Sequence, residues 1–85
     1  MSLFGKVTGS DKMRAVCERV LRDIAVQLES GHAEAGIVVS QSEVPGRLDR
    51  FGDWLRKEVE AAGYLVVDLN DGGWSHRMTM KVVQR

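Results

Sequence analysis

The sequence has few of the features that mark specialised classes of protein. Cys17 is the only cysteine among 85 residues, so no internal disulfide can form and nothing favours an oxidising compartment. No run of about 18 apolar residues occurs, so no membrane-spanning helix is expected. The N-terminal residues lack the apolar core of a signal peptide. Together these absences predict a cytoplasmic protein with no membrane partner.

A charge excess of either sign is also missing. Twelve Lys and Arg residues balance twelve Asp and Glu residues, and the net charge is zero. Nucleic-acid binders usually carry a basic excess, because neutralising phosphates supplies much of their affinity. The balance therefore argues against a nucleic-acid partner. It also leaves little electrostatic repulsion between copies, which permits a homodimer.

What is present is the composition of one small globular domain, with 44% hydrophobic and 28% charged residues. Residues 1–9 contain two glycines and show little periodicity, so we expect a flexible arm there. Residues 10–85 are predicted to form a single domain. A chain this short leaves little room for a deep cleft.

Hydrophobic periodicity divides the domain into helices and strands. Apolar residues recur every three or four positions in two segments, whereas three others alternate or form β-branched runs. The predicted order is a helix from Ser10 to about Gly31, a strand over 35–40, a helix over 47–62, a strand over 64–69 and a strand over 74–83. This order predicts an α+β fold, with two helices on one face of a three-stranded mixed or antiparallel sheet. In one arrangement the last strand lies between the other two.

The apolar side of each element predicts the core. The residues expected to be nearly fully buried are Val20, Ile24, Leu55, Val59, Val67 and Met80. Gly52 interrupts the second helix, where glycine costs about 1 kcal/mol relative to alanine. Either another backbone packs closely at Gly52, or the helix is broken there into two pieces.

The last predicted strand has one apolar and one polar side. Trp74, His76, Met78, Met80 and Val82 alternate with Ser75, Arg77, Thr79 and Lys81. With both helices on one face of the sheet, the polar side faces water or a partner. The candidate protein-interaction residues are Trp74, Arg77, Thr79 and Lys81, with Trp74 as the aromatic anchor.

No combination of residues indicates catalysis, a metal or a cofactor. Cys17 lies on the apolar stripe of the first helix, where a free cysteine packs as a small hydrophobe. His32 lies in a loop segment, and His76 alternates with apolar residues as a sheet-face histidine would. Asp68 and Asp71 lie around a turn. The sequence therefore predicts a protein that is not an enzyme.

Two resemblances extend this interpretation. The stretch from Phe51 to Val67, FGDWLRKEVEAAGYLVV, resembles the end of a winged helix-turn-helix domain, where a recognition helix runs into a hairpin wing. That resemblance implies DNA contacts from Arg47, Arg50, Arg56 and Lys57, with residues 70–74 as the wing tip. The whole order, with Gly63-Tyr64-Leu65-Val66 as a "G-Y-x-V" strand, resembles a loose group of small phage and prophage proteins. This second resemblance implies a fold more than an activity.

Two functions therefore stay open at the level of the sequence. The first is a non-enzymatic protein-interaction module of phage or prophage origin, which docks on a protein partner or on itself. The alternative is a DNA-binding regulator similar to winged-helix proteins. A small enzyme is the least favoured interpretation.

Overall fold

The computed structural model describes residues 9–70 and 76–85, and the side chains from Asp11 onward within those ranges. The predicted N-terminal arm lies outside the described residues, except for Gly9. Gly9 already belongs to the first helix, one residue before the predicted start. Trp74 and the predicted turn after Asn70 also lie outside the described residues.

The elements follow the predicted order and confirm the α+β class. They are α1 (Gly9–Glu29), β1 (Ala35–Ser40), α2 (Leu48–Ala61), β2 (Tyr64–Asn70) and β3 (Arg77–Gln84). A short 3-10 turn, Gln41–Glu43, follows β1 and was not predicted. The last strand begins at Arg77 rather than at the predicted Trp74. The helix over 9–29 ends at Glu29, and Gly31 follows with a positive φ of 98°.

β3 lies in the middle of the sheet. The strand order is β1-β3-β2, and β3 pairs antiparallel with both neighbours. β1 and β2 therefore run in the same direction, with α2 in the connection between them. The smallest dimension of the molecule, 18 Å, accommodates one sheet and one layer of helices. Both helices pack on the sheet through one apolar cluster.

This cluster contains five of the six residues predicted for the core. Val20, Ile24, Leu55 and Val59 are 0% exposed, and Met80 is 1% exposed. All five lie on the apolar side of their element, as the periodicity predicted. Met78 and Val82, the neighbours of Met80 on the same side of β3, are also fully buried. The helical stripes and the inner side of β3 thus meet in the single core that a domain of this size can form.

Val67 was predicted to be buried, and that prediction is wrong, because its side chain is 48% exposed. The pairing of β2 with β3 shifts between Val66 and Asp68, so β2 carries one extra residue at this point. Such a bulge interrupts the alternation of side chains between the two faces. Val66 and Leu69 consequently face the core, whereas Val67 and Asp68 are both exposed.

Neither of the two predicted explanations for Gly52, a closely packed backbone or a broken helix, is correct. α2 is continuous from Leu48 to Ala61, and the atom that approaches Gly52 belongs to a side chain. A Cβ added to Gly52 would lie 3.1 Å from Sδ of Met78. Glycine therefore lets α2 lie close to the middle strand, and the thioether of Met78 fills the space.

Candidate functional site

The face of the sheet turned away from the helices carries most of the large hydrophobic residues that are exposed among the described residues. We call it the outer face, and it comprises Val38, Leu65, Val67, Asp68, Arg77, Thr79 and Lys81. Three of the four large hydrophobic residues that are exposed in the described chain lie here: Val38 (54%), Leu65 (41%) and Val67 (48%). The fourth is Val26, on α1. The middle strand β3 separates Val38 on β1 from Leu65 and Val67, so only the latter two lie together, on β2. Exposed apolar residues that lie together are a common feature of interaction surfaces.

The charged and polar members of the outer face lie on the middle strand. Arg77, Thr79 and Lys81 are all exposed, in alternation with the buried methionines, as their spacing predicted. Lys81 is aligned with Gly36 on one side and with Asp68 on the other. Opposite charges aligned across two strands attract each other. The fourth predicted interaction residue, Trp74, lies outside the described residues.

The edge of the sheet at β1 is protected by side chains at two of its three outward-facing residues. The side-chain amide of Gln27 donates to the Gly36 carbonyl and accepts from the Gly36 N–H, both at 2.9 Å. Further along the strand, the carboxylate of Glu43 accepts from the Ser40 N–H at 2.8 Å. Unpaired edge groups invite another strand, and these contacts occupy the groups of Gly36 and the N–H of Ser40. The outward groups of Val38, between them, form no hydrogen bond with a described side chain. No pattern in the sequence identified Gln27 in this role.

These bonds also reveal which backbone groups face outward on the opposite edge. Gly36 bonds to Gln27, so its neighbours in β1 bond to β3, through Met80 and Val82. In a middle strand, the backbone N–H and C=O groups of successive residues point alternately to the two neighbouring strands. The backbone groups of Lys81 and Val83 therefore bond to β2. Their partners there are Asp68 and Leu65. The N–H and C=O groups of Tyr64 and Val66 therefore point away from the sheet.

The edge at β2 is the less protected of the two. Within the described residues, no side chain forms a hydrogen bond with the outward backbone groups of Tyr64 or Val66. The side chains of both residues are only partly buried, as is typical of an edge strand. The bulge at Val67 and the charge of Asp68 protect the second half of the strand. The first half, from Tyr64 to Val66, remains accessible.

Two of the open hollows among the described residues lie beside the sheet, and neither has the arrangement of a catalytic or metal site. One, of about 510 Å³, is lined by Asp49, Gly52, Asp53, Asp68, Leu69 and Asn70. Three carboxylates lie around it, yet the described residues contain no group of three acids, histidines or cysteines placed to hold a metal ion. The hollow is acidic, and this charge repels anions.

The other hollow, of about 450 Å³, is lined by Ser40, Gln41, Ser42, His76 and Arg77. The prediction that His76 lies on the apolar side of the last strand is wrong. His76 precedes β3, is exposed and has a φ of 55°, and its carbonyl accepts from the Gln41 N–H at 2.8 Å. A positive φ is a left-handed conformation, so His76 does not continue the extended alternation of β3. No described hydrogen bond joins the imidazole of His76 to a serine hydroxyl, as nucleophilic catalysis requires.

The remaining candidates for chemistry are structural or solvated. Cys17 is buried, and this burial raises the pKa of its thiol, with smaller contributions from the charges of Glu58 and Glu18. A raised pKa makes a thiol less nucleophilic at neutral pH, because less thiolate is present. His32 is exposed in the loop after α1.

The basic residues of the winged-helix resemblance lie along α2 and at its start. Arg47, Arg50, Arg56 and Lys57 are all exposed. Arg47 forms an ion pair with Asp49 at 2.8 Å, which places an acid beside this basic group. The buried side of α2 consists of Leu48, Phe51, Gly52, Leu55 and Val59, and Trp54 packs beside Phe51 with ring centroids 5.6 Å apart.

Comparison of the chain with protein-family models, with curated proteins and with solved structures found no match. Neither helix among the described residues combines the length and the apolar character needed to cross a bilayer. The geometry of the outer face and of the two sheet edges is therefore the basis for a functional proposal.

Proposed function

We propose that this chain is a non-enzymatic protein-interaction module that docks through its sheet, and that its partner is a second copy of itself. The observation that carries the proposal is the pair of half-exposed apolar residues Leu65 and Val67 on the outer face, which no helix covers and which lie on the less protected edge strand. Apolar side chains on one face are stabilised when another molecule removes them from water.

Charge supports a second copy as the partner. The outer face carries both signs, with Lys81 aligned with Asp68, and the whole chain has a net charge of zero. A two-fold axis brings the same patch of both copies together, so a patch with both signs can match itself. A patch of one sign would be repelled by its own copy.

The apolar side chains alone sustain only a weak contact. Fully burying a valine or leucine contributes about 1.5–3 kcal/mol, so each half-exposed residue contributes about 1 kcal/mol. Leu65 and Val67 on two copies contribute about 4 kcal/mol, whereas association itself costs about 4–15 kcal/mol. A lasting complex needs further contacts, and hydrogen bonds along a strand edge are the available source.

Light scattering across a hundredfold concentration range tests self-association. We expect the mean mass to rise from 9.4 kDa toward twice that value as concentration increases. Val67→Lys on the outer face should shift the transition to at least about tenfold higher concentration, equivalent to about 1.4 kcal/mol. Val26→Lys is the matched control, because Val26 is similarly exposed but lies on α1.

Two results would count against the proposal. A constant monomer mass over the whole range would exclude self-association. An equal effect of the two lysine variants would show that the contact does not involve the sheet. Salt-sensitive binding of random duplex DNA by the same preparation would favour the winged-helix alternative instead.

A further inference from the structure

We infer that the second copy joins at the edge of β2, where the β2 strands of two copies pair antiparallel across a two-fold axis at Leu65. The product is one continuous six-stranded sheet. This inference rests on the proposed function and specifies which edge and which residues form the contact. Its basis is the difference between the two edges of the sheet and the spacing of the outward groups on β2.

The difference between the edges selects β2. At β1, the amide of Gln27 already forms both hydrogen bonds that an added strand would form with Gly36. Glu43 occupies the N–H of Ser40, so only Val38, between these two residues, presents outward groups that no described side chain occupies. A strand that docked on β1 would have to displace these contacts. On β2, Tyr64 and Val66 present outward groups that no described side chain occupies.

The spacing of these groups specifies the register. Outward groups two residues apart let two antiparallel strands exchange hydrogen bonds twice, with Tyr64 of each copy opposite Val66 of the other. Leu65 then lies opposite Leu65 of the second copy, on the two-fold axis. The bulge at Val67 changes the direction of the backbone groups that follow, so other registers form fewer bonds.

The side chains are compatible with this register. Tyr64 faces Val66 of the other copy on the side of the helices, and pairs of an aromatic and a β-branched residue stabilise antiparallel strands. The two Leu65 side chains meet on the outer face, where each is 41% exposed in the single copy. The paired segment contains no charged residue, and Asp68 lies beyond it, so no like charges are brought opposite each other.

Cysteine crosslinking tests the register directly. In a Cys17→Ala background, Leu65→Cys places two thiols across a non-hydrogen-bonded antiparallel pair. The Cα atoms of such a pair are about 4.5 Å apart, within the range of a disulfide. With copper phenanthroline and air as the oxidant, we expect a disulfide-linked dimer of the Leu65→Cys variant at least about tenfold faster than that of Val38→Cys. Val38 is the matched control, because it is more exposed, at 54%, but lies on β1, where Gln27 and Glu43 occupy the outward groups on either side of it.

Hydrogen exchange of the unmodified chain gives a second readout that does not depend on a substitution. We expect the Val66 amide to exchange at least about tenfold more slowly at a concentration where the dimer forms than at a dilute one. The Val38 amide also points away from β3 and serves as the internal reference, whose exchange should not change.

Crosslinking and hydrogen exchange test the β2 register, whereas light scattering tests self-association, so the two proposals can fail separately. If light scattering shows a dimer but Val38→Cys crosslinks as fast as Leu65→Cys, self-association stands and the β2 register is wrong. Unchanged exchange at Val66 in a dimer would overturn the register in the same way. If light scattering shows no dimer, both proposals fail together.

Discussion

Replacing Gln27 with alanine removes both hydrogen bonds that protect the edge of β1 at Gly36. The side-chain amide bonds to the N–H and to the C=O of Gly36, each at 2.9 Å, and therefore acts as one residue of an additional strand. It also connects α1 to the first strand. We expect Gln27→Ala to lower stability and to loosen β1 locally, while α1 itself stays intact.

The magnitude follows from the exposure of the two groups. A hydrogen bond within a protein contributes a net of about 0.5–1.5 kcal/mol, so two contribute about 1–3 kcal/mol. Gly36 is exposed, and water replaces part of the lost bonding. Alanine also favours the helix slightly more than glutamine does. We therefore expect a loss of about 1 kcal/mol, which in a domain of this size lowers the Tm by about 4–8 °C.

Urea denaturation followed by circular dichroism measures the free energy of unfolding, and hydrogen exchange measures the opening at Gly36. Arg22→Ala is the control, because Arg22 is an exposed residue of the same helix. Gln27→Glu is a second comparison: it keeps the acceptor for the Gly36 N–H but places an oxygen against the Gly36 carbonyl. We expect this variant to lose stability as well, because two acceptors then face each other.

A Gln27→Ala variant as stable as Arg22→Ala, with unchanged exchange at the Gly36 amide, would contradict this expectation. That result would mean that the two bonds have no measurable effect on β1. A faster exchange at Gly36 without a change in global stability would show that only the edge opens, as expected for a local event.

Three further predictions follow from the core, the basic residues of α2 and the buried thiol. Leu55→Ala should lower the free energy of unfolding by about 2–5 kcal/mol, because Leu55 is fully buried, and a loss under 1 kcal/mol in urea denaturation would mean that the helix face is wrongly assigned. We expect no binding of random duplex DNA at physiological salt in fluorescence anisotropy; under the alternative function, Arg50→Ala and Arg56→Ala would each reduce the salt dependence of binding. The pKa of Cys17 is raised above its ordinary value of 9.0, so its contribution to stability should be complete below that pH and lost as pH rises through the folded-state pKa. A Cys17→Ala variant should lack this alkaline loss, and identical pH profiles of unfolding would contradict the assignment.

Periodicity was enough to predict which segments form the helices and strands, and which side of the two helices and of β3 from Met78 onward faces the core. Val20, Ile24, Leu55, Val59 and Met80 were assigned correctly because each lies within a local repeat of apolar residues. Such a repeat depends only on the three- to four-residue period of a helix or the two-residue period of a strand. The repeat lies within one segment, so it can be recognised in the sequence without knowledge of the fold.

Other features of the fold depend on contacts between segments that are distant in the sequence, and only the three-dimensional structure shows them. The bulge that exposes Val67 arises from the pairing of β2 with β3, and the left-handed conformation of His76 occurs beside its hydrogen bond to the 3-10 turn after β1. The protection of the β1 edge at Gly36 depends on how α1 lies against the sheet, because only that placement brings Gln27 to Gly36. The surface proposed for docking is defined by the same long-range geometry. Strand order and edge protection result from packing among separated residues, and periodicity within one segment cannot encode them.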